Sequence, residues 1–525
     1  MRRWIRNATD RSSRGASGRK GLEVLGLTLM AMACLSVPGY AQDELETVVC
    51  VSQDGEREEC PADTAGGVVL LESTGAVACL LGKSWGYDDA GIWVDDGCGG
   101  EFGVTSQAAP AGPEQEPVEE QEEEEEWQTW GTYTPGEGWL VGRTRFGEVN
   151  LSAYGLVRYL NQNDDDEVFT DHFGNERTMD LRNDIFGHRV IIFLNGWLAS
   201  EKLRYIFFLW TVSSTDQDAI FADFGYHFHR AFALYAGING NPGSRSLQGS
   251  HPYWLGHDRV LADEFFRPYF TYGVWANGEL TPGLWYAAQI GNNSSALGIT
   301  ATQLDDKLDT GGVSMWWMPT TQEFGPRGAY GDWEYHEDLA TRIGFSTTTS
   351  TESRQFDPNT EGTENTILKL ADGVNLFETG SLAPGVTIQE AGYKNLAFDA
   401  GIKYKGVFLQ AEYYMRWLDD FQADGPLPVQ DLYDHGFYVQ AAFFPIPKKL
   451  ELYAVTSQIY GDPDAGFDDS SEYVGGLNFY PFESRNIRMN LQLMDVNNSP
   501  VSSNFGYYVG GQDGTTLTTA FSIFY

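Results

Sequence analysis

The chain has 525 residues and a formal charge of −40, length enough for two or three domains or for one large barrel with additions. So acidic a balance excludes nucleic acid as a partner, because phosphates are met by Lys and Arg. Its 60 Gly, 15 Trp, 27 Tyr and 31 Phe point to an aromatic, turn-rich β protein, and no apolar run near the ~20 residues of a membrane helix follows the N-terminus.

Residues 1–41 read as a signal peptide. Arg2, Arg3, Arg6, Arg11, Arg14, Arg19 and Lys20 form a basic region, "LEVLGLTLMAMACLSV" an apolar stretch, and "GYA" before Gln42 a small-residue cleavage site. Residues 42–105 hold Cys50, Cys60, Cys79 and Cys98. Four exported cysteines in so small a unit imply two disulfides, with three pairings open. Their wide spacing lacks the close pairs of a zinc site, so no metal is assigned. Trp85, Trp93 and Phe102 form either the core of this module or a ligand-binding face. Residues 106–138 contain "PAGPEQEPVEEQEEEEEW", which cannot bury apolar surface and reads as a disordered acidic linker.

From 139 to 525 the sequence has a meter. Sixteen runs alternate with period two: near 148–160, 184–197, 202–213, 217–227, 231–240, 265–278, 283–292, 309–318, 338–350, 396–404, 406–418, 433–444, 448–460, 470–481, 486–497 and 514–525. Every second connector is mostly short, as in "ASEK", "HR", "LTPG", "KG", "PIPKK" and "FESRN"; the others are generally longer and acidic. That layout belongs to outer-membrane barrels. The fold expected is an all-β, sixteen-stranded antiparallel transmembrane β-barrel, preceded by a small disulfide-stapled domain and an acidic linker.

The faces of the runs agree. In "LAFDAGIKY", Leu396, Phe398, Ile402 and Tyr404 alternate with Asp399 and Lys403. In "NIRMNLQLM", Ile487, Met489, Leu491 and Leu493 alternate with Arg488, Asn490 and Gln492. Alternation alone does not tell a lipid-facing apolar face from a soluble core. The exported context and the aromatic end "TTLTTAFSIFY" favour the membrane, with Tyr525 in a last strand that pairs with the first. By face, Arg189, Arg267, Arg342, Lys403, Arg416 and Arg488 are the candidate pore-lining residues, and residues 241–264 the candidate inward-folded loop.

Two clusters suggest metal ligands. His227 and His229 in "HFHR" share a face with Asp223 but have no evident third ligand; they read as wet lumen residues. "GDPDAGFDDSSE" offers Asp462, Asp464, Asp468 and Asp469 without the spacing of a calcium loop. No nucleophile elbow, phosphate-cradling Gly loop or HExxH occurs, so neither an enzyme nor a cofactor is expected.

"PTTQEFGPRGAYGDWEYHEDLATRIGFSTTTSTE" (319–352), "HRVIIFLNGWLASEKLRYIFFL" upstream and the aromatic C-terminus resemble the phosphate-selective porin O and P family. The resemblance extends over most of residues 140–525. It implies an outer-membrane homotrimer that passes small anions through a lumen lined by Arg and Lys, although this chain is far more acidic than an anion trap. "KSWGYDDAGIWVDDGCGGEFGV" resembles a small exported bacterial cysteine module, spanning about 48–104. The expected partners are outer-membrane lipid and small anionic or hydrophilic solutes. The module is expected in the periplasm, where it could also grip the cell wall. A general or cation-preferring porin, or a barrel that serves as an anchor, is the alternative.

Overall fold

The computed structural model describes residues 46–104 and 131–525, apart from 54–55, 63, 65–67, 76, 78, 80–82, 89, 135–137, 165–166, 213–216, 249–252, 295–306, 356–364, 366 and 503–506. The signal-peptide reading and most of the linker reading lie outside the described residues. The chain divides into two compact units, Met1–Glu123 and Glu124–Tyr525.

The first unit is built from β1 (Glu46–Val51), β2 (Glu58–Cys60), β3 (Val68–Ser73), β4 (Trp85–Asp88), β5 (Gly91–Val94) and β6 (Gly99–Val104). They form two three-stranded sheets, ordered β1-β6-β3 and β2-β5-β4. Disulfides Cys50–Cys60 and Cys79–Cys98 staple them, which selects one of the three pairings. Trp85 and Phe102 are core residues, their rings 4.8 Å apart. Trp93 is half-buried, with Arg57 stacked over it at 4.2 Å. Of the three aromatics considered for a ligand face, two therefore serve the core.

The second unit begins with β7 (Tyr133–Thr134), β8 (Gly138–Thr144) and β9 (Gly147–Asp164). The small hairpin β10 (Val168–Thr170) and β11 (Glu176–Thr178) follows, then β12 (Asn183–Leu198), β13 (Ser200–Val212), β14 (Gln217–His229) and β15 (Phe232–Gly240). A connector carries the short helix α1 (Leu261–Phe266). Beyond it come β16 (Phe270–Thr281), β17 (Leu284–Gly291), β18 (Thr310–Trp317), β19 (Ala340–Ser353), β20 (Ile388–Tyr404) and β21 (Val407–Ala423). The chain ends with β22 (Leu432–Ile446), β23 (Leu450–Tyr460), β24 (Ser470–Phe479), β25 (Ile487–Asn497) and β26 (Gly514–Phe524).

Strands β9 and β12 to β26 make a closed antiparallel barrel of sixteen strands. Each run read from the sequence became one of them. Closure is β26 on β9, from Gly514↔Asp164 to Phe524↔Tyr154. Tyr525 extends it: its N–H donates to Ala153 O (2.9 Å), and Ala153 N–H donates back to Tyr525 O (2.6 Å). Below that point β8 takes over as the partner of β9, so residues 138–144, which the sequence reading divided between the end of the linker and the start of the barrel without assigning a strand, cover what would be an open edge.

Burial decides the orientation of the faces. Phe398, Ile402, Leu409, Met489, Leu491 and Leu493 are exposed, whereas Asp399, Lys403, Gln410, Glu412, Arg488 and Asn490 are buried. An apolar outside and a polar inside is the reverse of a soluble sandwich and the pattern of a membrane barrel. Aromatics ring the short-turn end, where Phe228, Phe232, Trp317, Tyr404, Phe443 and Tyr525 are exposed. At that end the turns are tight. Lys405 and Gly406 both have positive φ (47° and 82°), as a two-residue hairpin turn of the right twist requires. One connector there departs from the pattern: residues 318–339, between β18 and β19, are long and fold back over the barrel mouth.

Leu491 lies on the outer face in the middle of β25. Leu491→Arg should cost about 2–4 kcal/mol of folding stability if that position is near the bilayer midplane. Urea titration in phospholipid vesicles measures it; Leu491→Met should leave the midpoint close to wild type.

Candidate functional site

The inner wall of the barrel is where the chemistry is concentrated. Residues 241–269 enter from the long-loop end and pack against it. Within them α1 is buried over all its length. It is a short apolar-acidic segment whose N-terminal backbone donors are met by the wall. Leu261 N–H donates to Glu472 Oε2 (3.0 Å) and Ala262 N–H to Ser457 Oγ (2.7 Å). Further along, Arg245 N–H donates to Glu412 Oε1 (2.8 Å), and Asn478 Nδ2 donates to Leu255 O (2.9 Å). His257 bridges Asn490 (3.0 Å) and Thr518 (3.2 Å). Burial, and then the Arg158 guanidinium, push His257 down to about 3, so it is held neutral.

A second segment comes from the opposite end. Tyr330, in the 318–339 connector, donates its N–H to Tyr253 O (2.8 Å). Its hydroxyl meets Tyr438 OH (3.3 Å), and Arg245 stacks on its ring at 3.9 Å. The two inward segments therefore touch inside the barrel.

Each sequence-assigned basic residue has a definite place. Arg189 pairs with Asp258 (3.3 Å), Arg267 with Glu264 (2.7 Å), Arg342 with Asp399 (2.8 Å), Lys403 with Glu334 (3.6 Å) and Arg416 with Asp434 (2.6 Å). Arg488 instead donates to the carbonyls of Trp254 (2.5 Å) and Gly256 (3.0 Å). All six are buried. Five lie on strands; Arg267 lies just after α1, on the inward segment rather than on the wall. They are not brought together at one point but spread around the interior, each with its own partner. Sequence reasoning passed over the two other arginines of the set, Arg158 and Arg245. Arg158 reaches Asp258 at 3.4 Å, and Arg245 reaches Asp399 at 3.7 Å. Period two along β9 could have placed Arg158, which lies opposite Ala520. Nothing local marked Asp258, 100 residues from Arg158.

Side-chain burial this deep means that water has little access to the wall from β19 round to β9. Space remains on the other side. Asn195, Arg204, Asp223, His227 and Tyr235 line a cavity of about 310 Å³ toward the short-turn end. Arg204 is exposed there, and among the described residues no carboxylate pairs with it. Aromatic rings continue along this arc, with Tyr235 stacked on Trp275 (5.5 Å) and Trp285 on Trp316 (6.4 Å).

The metal candidates of the sequence resolve into separate contacts. His227 Nε2 meets Tyr235 OH (2.6 Å), His229 Nδ1 accepts from Ala231 N–H (3.2 Å), and Asp223 accepts from Ile238 N–H (2.7 Å). A bulge between His227 and His229 breaks their common phase. Asp462 caps its own turn, accepting from Asp464 N–H (2.9 Å), and also accepts from Tyr433 N–H (2.9 Å). A different group converges: Asp332, Glu334 and His336, with one ligand atom from each all within 4.8 Å of one another. It sits in an irregular segment with no known metal motif, which is why spacing did not reveal it.

Comparison with known proteins bears on the whole chain. Residues 371–519 match the family described as phosphate-selective porin O and P, which bears out the resemblance, though C-terminal to the 319–352 stretch that carried it. Residues 43–126 match the family described as protein of unknown function (DUF3011). No curated protein matches. Among solved structures, outer-membrane expressed OmpT of Vibrio cholerae is 11% identical, covers 74% of this chain and 100% of its own, and has a TM-score of 0.47. For the anion-selective porin from Comamonas acidovorans the values are 11%, 72%, 99% and 0.43. For the outer membrane channel DcaP of Acinetobacter baumannii they are 11%, 73%, 99% and 0.42.

His257 gives a pH test of how the inward segment is held. Its folded pKa lies below the ordinary 6.5, so between pH 6.5 and about 3 the unfolded chain binds the extra proton. Stability contributed by neutral His257 is then present above pH 6.5 and falls as pH drops through this window. His257→Gln should flatten the fall in the urea midpoint between pH 7 and pH 4 relative to wild type, with other acid-labile groups common to both proteins.

Proposed function

We propose that the chain is an outer-membrane pore through which small hydrophilic solutes diffuse passively, with a preference for anions such as phosphate. One observation carries this reading: a closed sheet whose outer face is apolar and whose inner face is polar. The match to a porin family over residues 371–519 favours a channel over an enzyme. By the layout of such barrels the short-turn end faces the periplasm, with the N-terminal module on the same side. A homotrimer is the assembly we expect.

The anion preference rests on a balance of fields. Acidic loops attract cations, but exposed charge is screened over roughly 8 Å at physiological salt. Charge in a narrow passage is screened less. Most inner-wall cations are cancelled by adjacent carboxylates. Arg204 and Arg488 have no such partner among the described residues, and Arg204 faces the remaining space. We therefore assign the preference chiefly to Arg204, with the paired residues contributing little field until a pair opens.

A second reading has its own support. So much of the interior is packed that the barrel could serve as an anchor for a module that grips the cell wall. Reversal potential across planar bilayers in a KCl gradient separates the readings. Wild type should conduct and favour chloride at about 1 M salt, where surface charge is screened to roughly 3 Å. Arg204→Glu should lower the anion-to-cation permeability ratio several-fold, and Arg342→Glu by less. Cation preference in wild type at that salt would leave a general pore; no conductance at all would leave the anchor.

Removing residues 42–130, which leaves β7 and β8 in place, tests the module separately. The shortened protein should keep the unit conductance of the full chain and lose any attachment to sedimented cell wall.

A further inference from the structure

Residues 318–339 contain one short 3₁₀ turn, Pro326–Gly328, and otherwise irregular backbone. In it Asp332, Glu334 and His336 alternate along the chain, and one ligand atom of each falls within 4.8 Å of the others. Asp332 and His336 are buried, so this is not a solvated acidic surface.

The surroundings are those of a ligand set. Asp332 Oδ1 meets His336 Nδ1, and Asp332 Oδ2 accepts from Gly406 N–H at 2.7 Å, which fixes the carboxylate against the β20–β21 turn. On the far side of the ring, His336 Nε2 meets Glu323 Oε1 at 2.5 Å. A carboxylate behind an imidazole is how metal-ligating histidines are oriented. An independent sign comes from two enclosed polar atoms that lack a hydrogen bond, Glu334 Oε2 and Lys403 Nζ. They stand 3.6 Å apart, with Lys403 fully buried. Glu334 Oε2 is thus held by this long ion pair and by no hydrogen bond, a contact that an incoming cation would displace.

We propose that Asp332, Glu334 and His336 bind one divalent transition-metal ion, with Glu323 orienting His336 from behind. One imidazole and two carboxylates suit Zn²⁺ better than Mg²⁺ or Ca²⁺, which prefer oxygen alone. Two cations oppose it. Lys403 lies at 3.6 Å from Glu334, and Arg485 Nη1 donates to Glu334 Oε1 at 2.9 Å. The ion must draw Glu334 Oε2 away from Lys403, so Lys403 sets the affinity. When bound, the ion pins the connector, and with it Tyr330, across the short-turn mouth. The inference rests on the fold and not on which solute the barrel passes.

The test is calorimetry with untagged, chelator-stripped full-length protein in detergent, titrated with ZnCl₂ and separately with MgCl₂. Wild type should show one saturable Zn²⁺ site and no comparable Mg²⁺ site. His336→Gln should abolish it, Glu323→Gln should weaken it about 10–100-fold, and Lys403→Met should tighten it. Heat-modifiable gel migration checks that each variant is folded; if His336→Gln is not, the opposite effects of Glu323→Gln and Lys403→Met decide. Absence of a saturable site in wild type, or folded variants that bind Zn²⁺ as wild type does, would overturn the proposal.

Discussion

A strand in hydrocarbon cannot leave its N–H and C=O groups bare, because each unpaired group costs several kcal/mol with no water to take it. The sheet must therefore close, and the pairing of β26 with β9 closes it. Much else follows from this contact. It holds β26 paired through Phe524, and Tyr525 beyond it is bonded to Ala153 both ways. It also brings Ala520 opposite Arg158, and so sets where the inner wall places its first guanidinium.

Closure also fixes the patterning, and the patterning creates a second problem. Apolar residues on the outside need no partner beyond lipid. The inner face is polar, and here it is not left to water. Residues 241–269 bring backbone donors to Glu412, Ser457 and Glu472 and backbone acceptors to Asn478 and Arg488. Charges are met in pairs, because a charge buried alone is far costlier than one that is paired and hydrogen-bonded. This reconciles a net charge of −40 with so many interior arginines. Most of the interior cations face a carboxylate, and much of the remaining acid lies in the loops and in the 106–138 stretch.

Strands were legible because their two faces have different solvents, lipid and lumen, and period two records that difference directly. Sixteen runs gave sixteen strands for this reason. Strand ends were less legible. β20 starts at Ile388, ahead of the run at 396, where Glu390 and Lys394 are too polar to show a lipid face. The run placed at 265–278 began inside the connector, since Phe265 and Phe266 of α1 are apolar for contact with the wall rather than with lipid. Arg189, Arg342, Lys403, Arg416 and Arg488 were readable as inward by phase alone. Their partners were readable only where the partner is a neighbouring strand. Asp434 lies directly opposite Arg416 across β21 and β22. Asp258 and Glu334 come from inserted segments whose positions depend on tertiary packing, and no local rule reaches them.

The same division bears on how the barrel could conduct. Pairs between neighbouring strands, such as Arg416 with Asp434, have both backbones held in register by the hydrogen-bond ladder, so a movement of the inserted segments leaves the two side chains adjacent. Pairs between the wall and an inserted segment are different. Arg158 and Arg189 face Asp258, and Lys403 faces Glu334, at 3.3–3.6 Å, longer than the 2.6 Å of Arg416–Asp434. These are the contacts that would part if either segment shifted. Parting would do two things together: it would widen the passage and uncover wall guanidinium or ammonium groups that the segments had neutralised. The groups that fill the lumen are thus also the groups that cancel its charge, so under the proposed pore function a shift of either segment would add to the field that Arg204 already supplies.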